Sequence, residues 1–230
     1  MQIHGLQKMT LLDFPGRVAC TVFLGGCDFR CPFCHNFELV DGTAGPQMDD
    51  AAILDFLRRR RGLLDGVAVT GGEPCLRKDL PELMESIRGM GFSVKLDTNG
   101  AHPDMLRTLL QRDLVQYVAM DIKNCPAKYA STCGLETLDL QPIRESVQLL
   151  MASRIDYEFR TTVVREIHEL PDFEEIAAWI RGARRYALQA FTDRDTVPFA
   201  GLHAPDREEM ESYAAVVRPH VGEVLIRGIS

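Results

Sequence analysis

The sequence lacks any long hydrophobic run, which excludes a helical membrane protein. None of the apolar stretches in its 230 residues approaches the roughly 20 residues that a membrane-spanning helix needs. The first residues, MQIHGLQKMTLLDFPGR, also lack the basic-then-apolar pattern of a secretory signal. We therefore expect a cytoplasmic protein that has no membrane partner.

The sequence also lacks an excess of positive charge. The chain has 26 Lys and Arg against 33 Asp and Glu, a net charge of −7, which argues against broad affinity for nucleic acid. It contains no repeat, low-complexity segment or linker, and its 46% of hydrophobic residues is ordinary for a globular protein. The composition favours a single domain over residues 1–230.

The seven cysteines show no disulfide-scaffold spacing, and their number is odd. A reducing compartment with metal-binding thiols explains them better than an oxidised framework. Cys27, Cys31 and Cys34 have the spacing C-x3-C-x2-C within GGCDFRCPFCHN. Thiolates normally hold all four irons of a 4Fe-4S cluster, so a loop with three cysteines leaves one iron open. An open iron indicates catalysis rather than electron storage.

Two other interpretations of these cysteines start from the same residues. A structural zinc ion would take the three thiolates together with Cys20 or His35 as its fourth ligand. Alternatively, the cysteines are buried, inert thiols. Gly25, Gly26 and Pro32 punctuate the loop and argue against inert thiols. The choice between zinc and iron-sulfur depends on the rest of the chain.

Short strands and helices alternate along the sequence. Strands are predicted at residues 18–24, 66–70, 93–97, 115–121, 157–164, 186–191 and 222–227, and helices at 50–57, 80–90, 103–112, 143–153, 172–181 and 206–217. Such alternation implies an α/β fold with a parallel sheet and right-handed crossovers. Because a complete eight-unit barrel takes about 250 residues, we predict a partial (β/α)6 barrel.

Polar and glycine-rich segments follow the predicted strands, where α/β folds collect their ligands. They are the cysteine loop, Thr70-Gly71-Gly72-Glu73-Pro74, Asp97-Thr98-Asn99-Gly100 and Met120-Asp121-Ile122-Lys123. Paired glycines let a backbone approach a ligand closely, and carboxylate and hydroxyl oxygens suit a hard cation or ribose hydroxyls. Each segment also has a plainer interpretation. GGEP can be a strand-to-helix turn, and Asp97 and Asp121 can be helix caps. Lys123 can be an ordinary lysine at the edge of the sheet, and Arg160 can form a surface ion pair.

The cysteine loop, with Phe33 directly before its third cysteine, resembles that of the radical S-adenosylmethionine (SAM) superfamily. The segment CPFCHN resembles the corresponding segment in the branch of this superfamily that activates glycyl radical enzymes. DFPG, CDFRCPFCHN, GGEP, LDTNG and DIK occur in the family order over nearly the whole chain and are most similar to the anaerobic ribonucleoside-triphosphate reductase activating proteins. The resemblance implies one radical SAM domain, with residues 1–17 as an N-terminal extension and 25–37 as the cluster-binding loop.

The resemblance also implies the cofactors and the residues that bind them. Cys27, Cys31 and Cys34 would hold one 4Fe-4S cluster. SAM would contact Phe33, Gly71, Gly72, Glu73, Pro74, Asp97, Asp121 and Lys123, with GGEP at its amino group and Lys123 at its carboxylate. Arg160 ends the inward-facing part of its strand, and this position predicts a role near the SAM carboxylate or the partner. The similarity of LDTNG and MDIK to segments of pyruvate formate-lyase activating enzyme implies a monovalent cation. Its ligands would be Asp97, Thr98, the Met120 carbonyl and Asp121.

The implied activity is reductive cleavage of SAM to methionine and a 5′-deoxyadenosyl radical. That radical would abstract hydrogen from a glycine of a partner glycyl radical enzyme, anaerobic ribonucleotide reductase, with flavodoxin or ferredoxin as the electron donor. No catalytic side chain is expected beyond the cluster and SAM. The alternatives are a radical SAM enzyme that acts on a small molecule or a peptide, and a zinc-stabilised binding module.

Some segments depart from the family or carry no clear role. The stretch 188–192 lacks the histidine that touches SAM in the formate-lyase activating enzyme. Cys75, Cys125 and Cys133 are interpreted as packing thiols, with a second cluster as the alternative. The polar segment 124–134 is predicted to be a flexible flap over the site. The remaining histidines are interpreted as ordinary residues: His4, His102, His168, His203 and His220.

Overall fold

Nine strands form one sheet in the computed structural model, which describes residues 2–229. The strands are β1 (Gln2–Thr10), β2 (Ala19–Leu24), β3 (Met48–Asp49), β4 (Gly66–Gly71), β5 (Ser93–Thr98), β6 (Tyr117–Asp121), β7 (Asp156–Val163), β8 (Tyr186–Ala190) and β9 (Val224–Arg227). Their order across the sheet is β3-β1-β2-β4-β5-β6-β7-β8-β9. Within residues 2–229 the outer strands β3 and β9 do not pair with each other, so the sheet stays open.

Helices connect the strands. They are α1 (Phe37–Asp41), α2 (Asp50–Arg58), α3 (Leu80–Gly89), α4 (Pro103–Gln111), α5 (Tyr129–Thr132), α6 (Gln141–Ala152), α7 (Leu170–Trp179) and α8 (Arg207–Val217), with a 3-10 turn at Pro74–Leu76. None of the helices described between residues 2 and 229 is long and apolar enough to cross a membrane.

The seven strands from β2 to β9, leaving out β3, pair in parallel with their neighbours. These are the seven strands predicted from the sequence, and each strand and crossover helix lies within two residues of its predicted bounds. The α/β fold with an open, partial barrel of parallel strands is therefore confirmed.

The N-terminal strand was not predicted. β1 pairs antiparallel with both β2 and β3, so it extends the parallel sheet with an antiparallel edge. Only Ile3 and Thr10 of its nine residues are buried, and the strand therefore has no alternating hydrophobic pattern. This strand forms because its backbone pairs with β2. Such backbone pairing does not require particular residue types, so the sequence does not reveal it.

The two faces of the sheet differ in chemistry because side chains alternate along each strand. Val118 and Met120 of β6 belong to the main hydrophobic core, whereas Tyr117 and Ala119 belong to a separate small cluster with Phe14. On β5, Val94 and Leu96 likewise join the main core, while Asp97 lines a cavity on the other face. The inner face of the partial barrel therefore carries the polar side chains.

Candidate cluster and cofactor site

A cavity of about 480 Å³ lies at the carboxyl ends of the parallel strands. It brings together most of the site residues predicted from the sequence: Cys27, Cys31, Phe33, Cys34, Gly71, Gly72, Asp97, Thr98, Asp121, Lys123 and Arg160. Glu73, Pro74 and Met120 are not among its lining residues. The rule that ligands gather at the carboxyl ends of parallel strands, here called the carboxyl-end rule, therefore located the cavity. Three of the predicted residues lie behind the cavity wall.

Backbone hydrogen bonds hold the cysteine loop against the rest of the fold. Gly26 N donates to the Leu39 carbonyl at 2.8 Å, and Arg30 N donates to the Cys133 carbonyl at 2.8 Å. Cys27, Cys31 and Cys34 are the only cysteines among the described residues that line the cavity. Three thiols that face the cavity fit a 4Fe-4S cluster that keeps one iron open.

The two residues proposed as a fourth zinc ligand make other contacts, although His35 lines the cavity. Cys20 is fully buried in the main core. His35 Nε2 lies 2.6 Å from the Thr192 carbonyl, and its ring stacks on Phe191 at a centroid distance of 5.5 Å. Within residues 2–229, no three His, Cys, Asp or Glu side chains are arranged to hold a single metal ion. These contacts favour the cluster over zinc.

Burial raises the pKa of the Cys27 thiol to about 12 and also raises the pKa of Cys34. The Cys31 thiol differs, because a hydrogen bond from the Cys133 side chain lowers its pKa to about 7. Iron is bound by thiolates, so loading a cluster here must release protons from thiols that burial keeps neutral.

The three remaining cysteines do not come together. Cys75 is buried directly after Glu73, Cys125 Sγ lies 3.3 Å from Asp172 Oδ1, and Cys133 lies beside Cys31. Their separate surroundings support the interpretation as packing thiols rather than as a second cluster site. The contact between Cys133 and Cys31 was missed, because the two are far apart in sequence.

The GGEP segment packs against the cysteine loop. Gly72 N donates to the Leu24 carbonyl at 2.9 Å, and Glu73 N donates to the Gly26 carbonyl at 2.7 Å. Gly71 has a φ of +132°, and a Cβ on it would lie 2.1 Å from the Leu24 carbonyl oxygen. The paired glycines are thus required for close approach of two protein backbones. Their contact with SAM stays a prediction.

Glu73 is a buried carboxylate that joins three segments. Its Oε1 accepts hydrogen bonds from Cys75 N and Thr98 Oγ1, both at 2.8 Å, and its Oε2 accepts one from Asn99 N at 2.6 Å. Its residue is 1% exposed, and burial raises its pKa. In the structure Glu73 fixes the strand ends behind the cavity wall, and the roles of Glu73 and Pro74 in SAM binding rest on the resemblance alone.

Five charged side chains form an ion-pair network on the inner face of the barrel. Lys95 Nζ lies 2.5 Å from Asp97 Oδ1, and Lys123 Nζ lies 2.7 Å from Asp121 Oδ2. Arg160 joins the two pairs, with Nε 2.8 Å from Asp121 Oδ1 and Nη1 3.6 Å from Asp97 Oδ2. Burial opposes ionisation of Asp121, but Arg160 and Lys123 outweigh it and hold its pKa well below its usual range.

Lys95 was not among the predicted site residues. The signal for it is its position two residues before Asp97, which places both side chains on the same face of β5. Arg160 was predicted near the SAM carboxylate or the partner, with a surface ion pair as the alternative. The structure places Arg160 in the cavity wall, where it pairs with both aspartates.

The residues predicted to hold a monovalent cation do not fit that role in this structure. Both aspartates are paired with lysine and arginine side chains. The Thr98 hydroxyl donates to Glu73 and accepts from Gly100 N at 3.1 Å. Met120, whose carbonyl was the fourth predicted ligand, lies within β6 and pairs with Thr98 and Phe159 in the sheet. Protein cations occupy the positions next to the carboxylates that a bound cation would need.

His102 supports the cysteine loop. Its Nε2 lies 3.1 Å from Asp28 Oδ2, and Asn99 Nδ2 donates to Asp28 Oδ1 at 2.8 Å. Because Asp28 directly follows Cys27, these contacts tie the end of β5 to the cluster loop. The hydrogen bond to Asp28 raises the pKa of His102. The interpretation of His102 as an ordinary residue overlooked this contact.

His168 also has a structural role that the sequence did not reveal. Its ring is buried, its Nδ1 accepts a hydrogen bond from Val164 N at 3.1 Å, and its Nε2 lies 2.9 Å from the Lys123 carbonyl. Burial lowers the pKa of His168 and so favours the neutral ring. The histidine thereby connects the end of β7 to the segment that carries Lys123.

The segment 124–134 is packed, in contrast to the predicted flap. Tyr129 is fully buried, its ring contacts Trp179 edge-on at 5.8 Å, and its hydroxyl donates to the Asp121 carbonyl at 3.4 Å. Asn124 and Cys133 are also fully buried. The polar composition misled the prediction because these polar groups find partners inside the protein.

Residues 21–180 match the family described as the Radical SAM superfamily. The match spans more than half of the sequence, so the chain belongs to the radical SAM superfamily. The protein is accordingly a radical SAM enzyme, and this membership implies a 4Fe-4S cluster and SAM as its cofactors.

Relatives in the superfamily include activating enzymes. The chain is 29% identical to the "Putative glycyl-radical enzyme activating enzyme" of Methanocaldococcus jannaschii, over 99% of this chain and 96% of that protein. It is 30% identical to the pyruvate formate-lyase-activating enzyme of Clostridium pasteurianum, over 54% of this chain and 52% of that enzyme. A 7-carboxy-7-deazaguanine synthase of Thermococcus kodakarensis is 29% identical over 56% of this chain and 58% of its own length.

Solved structures show the same fold at low sequence identity. A domain of pyruvate-formate lyase-activating enzyme from Bacteroides vulgatus superposes with a TM-score of 0.58 and 15% identity, over 71% of this chain and 99% of that domain. SuiB of Streptococcus suis, bound to SAM, superposes with a TM-score of 0.70 and 11% identity, over 90% of this chain and 52% of SuiB. Both likenesses concern the fold.

Proposed function

We propose that this radical SAM enzyme activates a glycyl radical enzyme by abstracting hydrogen from a glycine Cα of that partner. The observation that carries the proposal is the cavity that three thiols line together with the polar ends of four neighbouring strands. The similarity over nearly the full length to the Methanocaldococcus jannaschii protein supports the choice of partner class.

Different residues are assigned to the cluster and to SAM. Cys27, Cys31 and Cys34 are the proposed cluster ligands. The proposed SAM contacts are Phe33, Gly71, Gly72, Glu73, Pro74, Asp97, Asp121, Lys123 and Arg160. When bound, cluster and SAM together supply reductive cleavage to methionine and a 5′-deoxyadenosyl radical.

The ion-pair network suits an anionic group of the ligand. Asp121 raises the pKa of Lys123 and of Arg160 despite the burial that opposes it, so both remain charged in the cavity. Their charge favours the carboxylate of SAM. Lys123 Nζ also lies 6.0 Å from the centre of the Phe33 ring, which links the network to the cysteine loop.

The motifs support a finer identity for the partner. The order of DFPG, CDFRCPFCHN, GGEP, LDTNG and DIK supports anaerobic ribonucleotide reductase as the activated enzyme and flavodoxin or ferredoxin as the electron donor. We also infer that residues 1–230 act as one radical SAM domain and that nucleic acid is not a partner.

The proposal is tested in two stages under anaerobic conditions. The purified chain is first reconstituted with iron and sulfide, and dithionite with SAM should then yield 5′-deoxyadenosine and methionine. Cys31→Ala should lose this activity together with the cluster absorbance, whereas Cys125→Ala should keep both. Uptake of zinc without iron and sulfide, or SAM that stays intact, would contradict the enzyme assignment.

The second stage adds a candidate glycyl radical enzyme. Electron paramagnetic resonance should detect a glycyl radical that depends on the activating chain, on SAM and on the reductant. Replacement of the target glycine by alanine in the partner is the matched control. Cleavage of SAM without such a radical, for every glycyl radical enzyme of the same organism, would contradict the proposed partner class.

A radical SAM enzyme that acts on a small molecule is the second candidate. The similarity to a 7-carboxy-7-deazaguanine synthase, at 29% identity over 56% of this chain, favours this candidate. If this candidate is correct, a low-molecular-weight extract should stimulate SAM cleavage. Addition of a glycyl radical enzyme should not change it.

A further inference from the structure

Lys95 is a buried charge on the inner face of the barrel. Its residue is 3% exposed, and its Nζ lies 2.5 Å from Asp97 Oδ1. In the sheet it pairs with Ala68 of β4 and Tyr117 of β6. A buried ammonium is costly unless a partner of opposite charge compensates for its lost hydration. Asp97 is that partner, so the lysine and the aspartate form one unit.

The ion-pair network as a whole already carries surplus positive charge. Lys95, Lys123 and Arg160 contribute three positive charges against the two negative charges of Asp97 and Asp121. Arg160 bridges the two carboxylates, and the lysines take up one further oxygen of each. A monovalent cation that entered this network would meet repulsion from all three side chains at short range.

We propose that the Lys95 ammonium permanently supplies the positive charge at Asp97 that a bound monovalent cation would otherwise bring, so that this enzyme binds SAM without potassium or sodium. Lys95 thus acts as a positioning residue, which holds Asp97 and, through Arg160, the charges that face the cofactor. The inference rests on the proposed SAM site, and it concerns a lysine outside the set implied by family resemblance.

Salt substitution tests the inference on the reconstituted enzyme. SAM affinity is measured by equilibrium dialysis in potassium chloride, sodium chloride and choline chloride at equal ionic strength, because choline is too large for a cation site between two carboxylates. The variants are Lys95→Met, which keeps much of the length without the charge, and Lys78→Met, which removes an exposed lysine.

For the wild-type enzyme and Lys78→Met, the dissociation constant of SAM should change by less than about twofold among the three salts. Lys95→Met should bind SAM about tenfold more weakly in choline chloride and should recover most of that loss in potassium chloride, because a cation can then enter the place of the ammonium. A wild-type enzyme that loses SAM affinity in choline overturns the inference. The inference is also overturned if the dissociation constant of SAM for Lys95→Met is the same in all three salts.

Thermal unfolding of the cluster-free chain supplies a second measurement, which does not depend on SAM. Potassium should raise the Tm of Lys95→Met above its value in choline and should leave the wild-type Tm unchanged. A potassium-dependent wild-type Tm overturns the inference even if Lys95→Met does not fold. Failure to bind SAM in every salt would instead contradict the proposed function, while the Tm comparison still decides the role of Lys95.

Discussion

Gly72 approaches Gly26 so closely that a Cβ built on Gly72 would lie 2.0 Å from the Gly26 carbonyl oxygen. The same carbonyl accepts a hydrogen bond from Glu73 N at 2.7 Å. The end of β4 and the start of the cysteine loop are therefore one packed unit, and the shape of the cluster site depends on a residue that is not a ligand.

Replacement of Gly72 by alanine should damage the cluster site. The added methyl group must displace the Gly26 backbone, which should cost about 1–3 kcal/mol of unfolding free energy and reduce iron uptake on reconstitution. Gly89→Ala is the matched control, because a Cβ there meets no atom within 4 Å. Urea denaturation and iron analysis measure both effects. Equal iron content in the two variants would contradict the close approach.

Glu73→Gln should destabilise the protein although it keeps the size of the side chain. Both carboxylate oxygens accept hydrogen bonds, so either orientation of the amide turns its NH₂ group toward a donor. We expect a loss of about 1–3 kcal/mol in unfolding free energy. Glu136→Gln, at an exposed position, should change it by less than about 0.5 kcal/mol. A Glu73→Gln variant as stable as this control would refute the prediction.

The stability that His102 contributes should depend on pH. Its hydrogen bond to Asp28 raises its pKa above 6.5 in the folded protein. The contribution is therefore fully present below about pH 6.5, the value for the unfolded chain, and is lost as the pH rises through the folded pKa. Both side chains are about 30% exposed, so we expect less than about 1 kcal/mol.

Unfolding free energies of the wild type and His102→Asn at several pH values between 5.5 and 8.5 check this prediction. The difference between them should be larger at the acid end. In an Asp28→Asn background, the same comparison should lose its pH dependence. A difference that grows toward pH 8.5 would show that the sign is wrong.

Asp121→Asn should leave Lys123 and Arg160 without their shared carboxylate. The side chain of Asp121 is 22% exposed, so we expect a loss of about 2–3 kcal/mol in unfolding free energy, below the range for a wholly buried pair. Asp104→Asn removes a 94% exposed partner of Arg107 and should change stability by less than about 0.5 kcal/mol. Chemical denaturation measures the unfolding free energy of both variants. Similar losses in the two variants would contradict the argument that burial makes the Asp121 ion pairs more important.

The parallel strands could be predicted from the sequence because each is a short hydrophobic run between polar turns. Val67, Val69, Val94 and Leu96 show this pattern, since their side chains all enter the main core. The carboxyl-end rule then placed the cysteine loop, Gly71, Asp97 and Asp121 at one cavity. Periodicity and topology therefore suffice for the location of the site.

Contacts between side chains could not be predicted in the same way. Lys95 and His102 find their partners only after β5 and the cysteine loop are in place, and neither residue type marks such a role by itself. Tyr129 shows the reverse error, because a polar, turn-rich segment was expected to be mobile and is instead buried. In each case the tertiary neighbours, which one sequence does not display, decide the outcome.

The backbone bonds that hold the cysteine loop have a consequence for how the enzyme matures. Gly26 to Leu39, Arg30 to Cys133 and Glu73 to Gly26 are all bonds between main-chain atoms, and none of them needs a metal. The polypeptide itself therefore supplies contacts that position the three cysteines for an incoming cluster. A bound cluster adds to the stability of the folded chain by mass action.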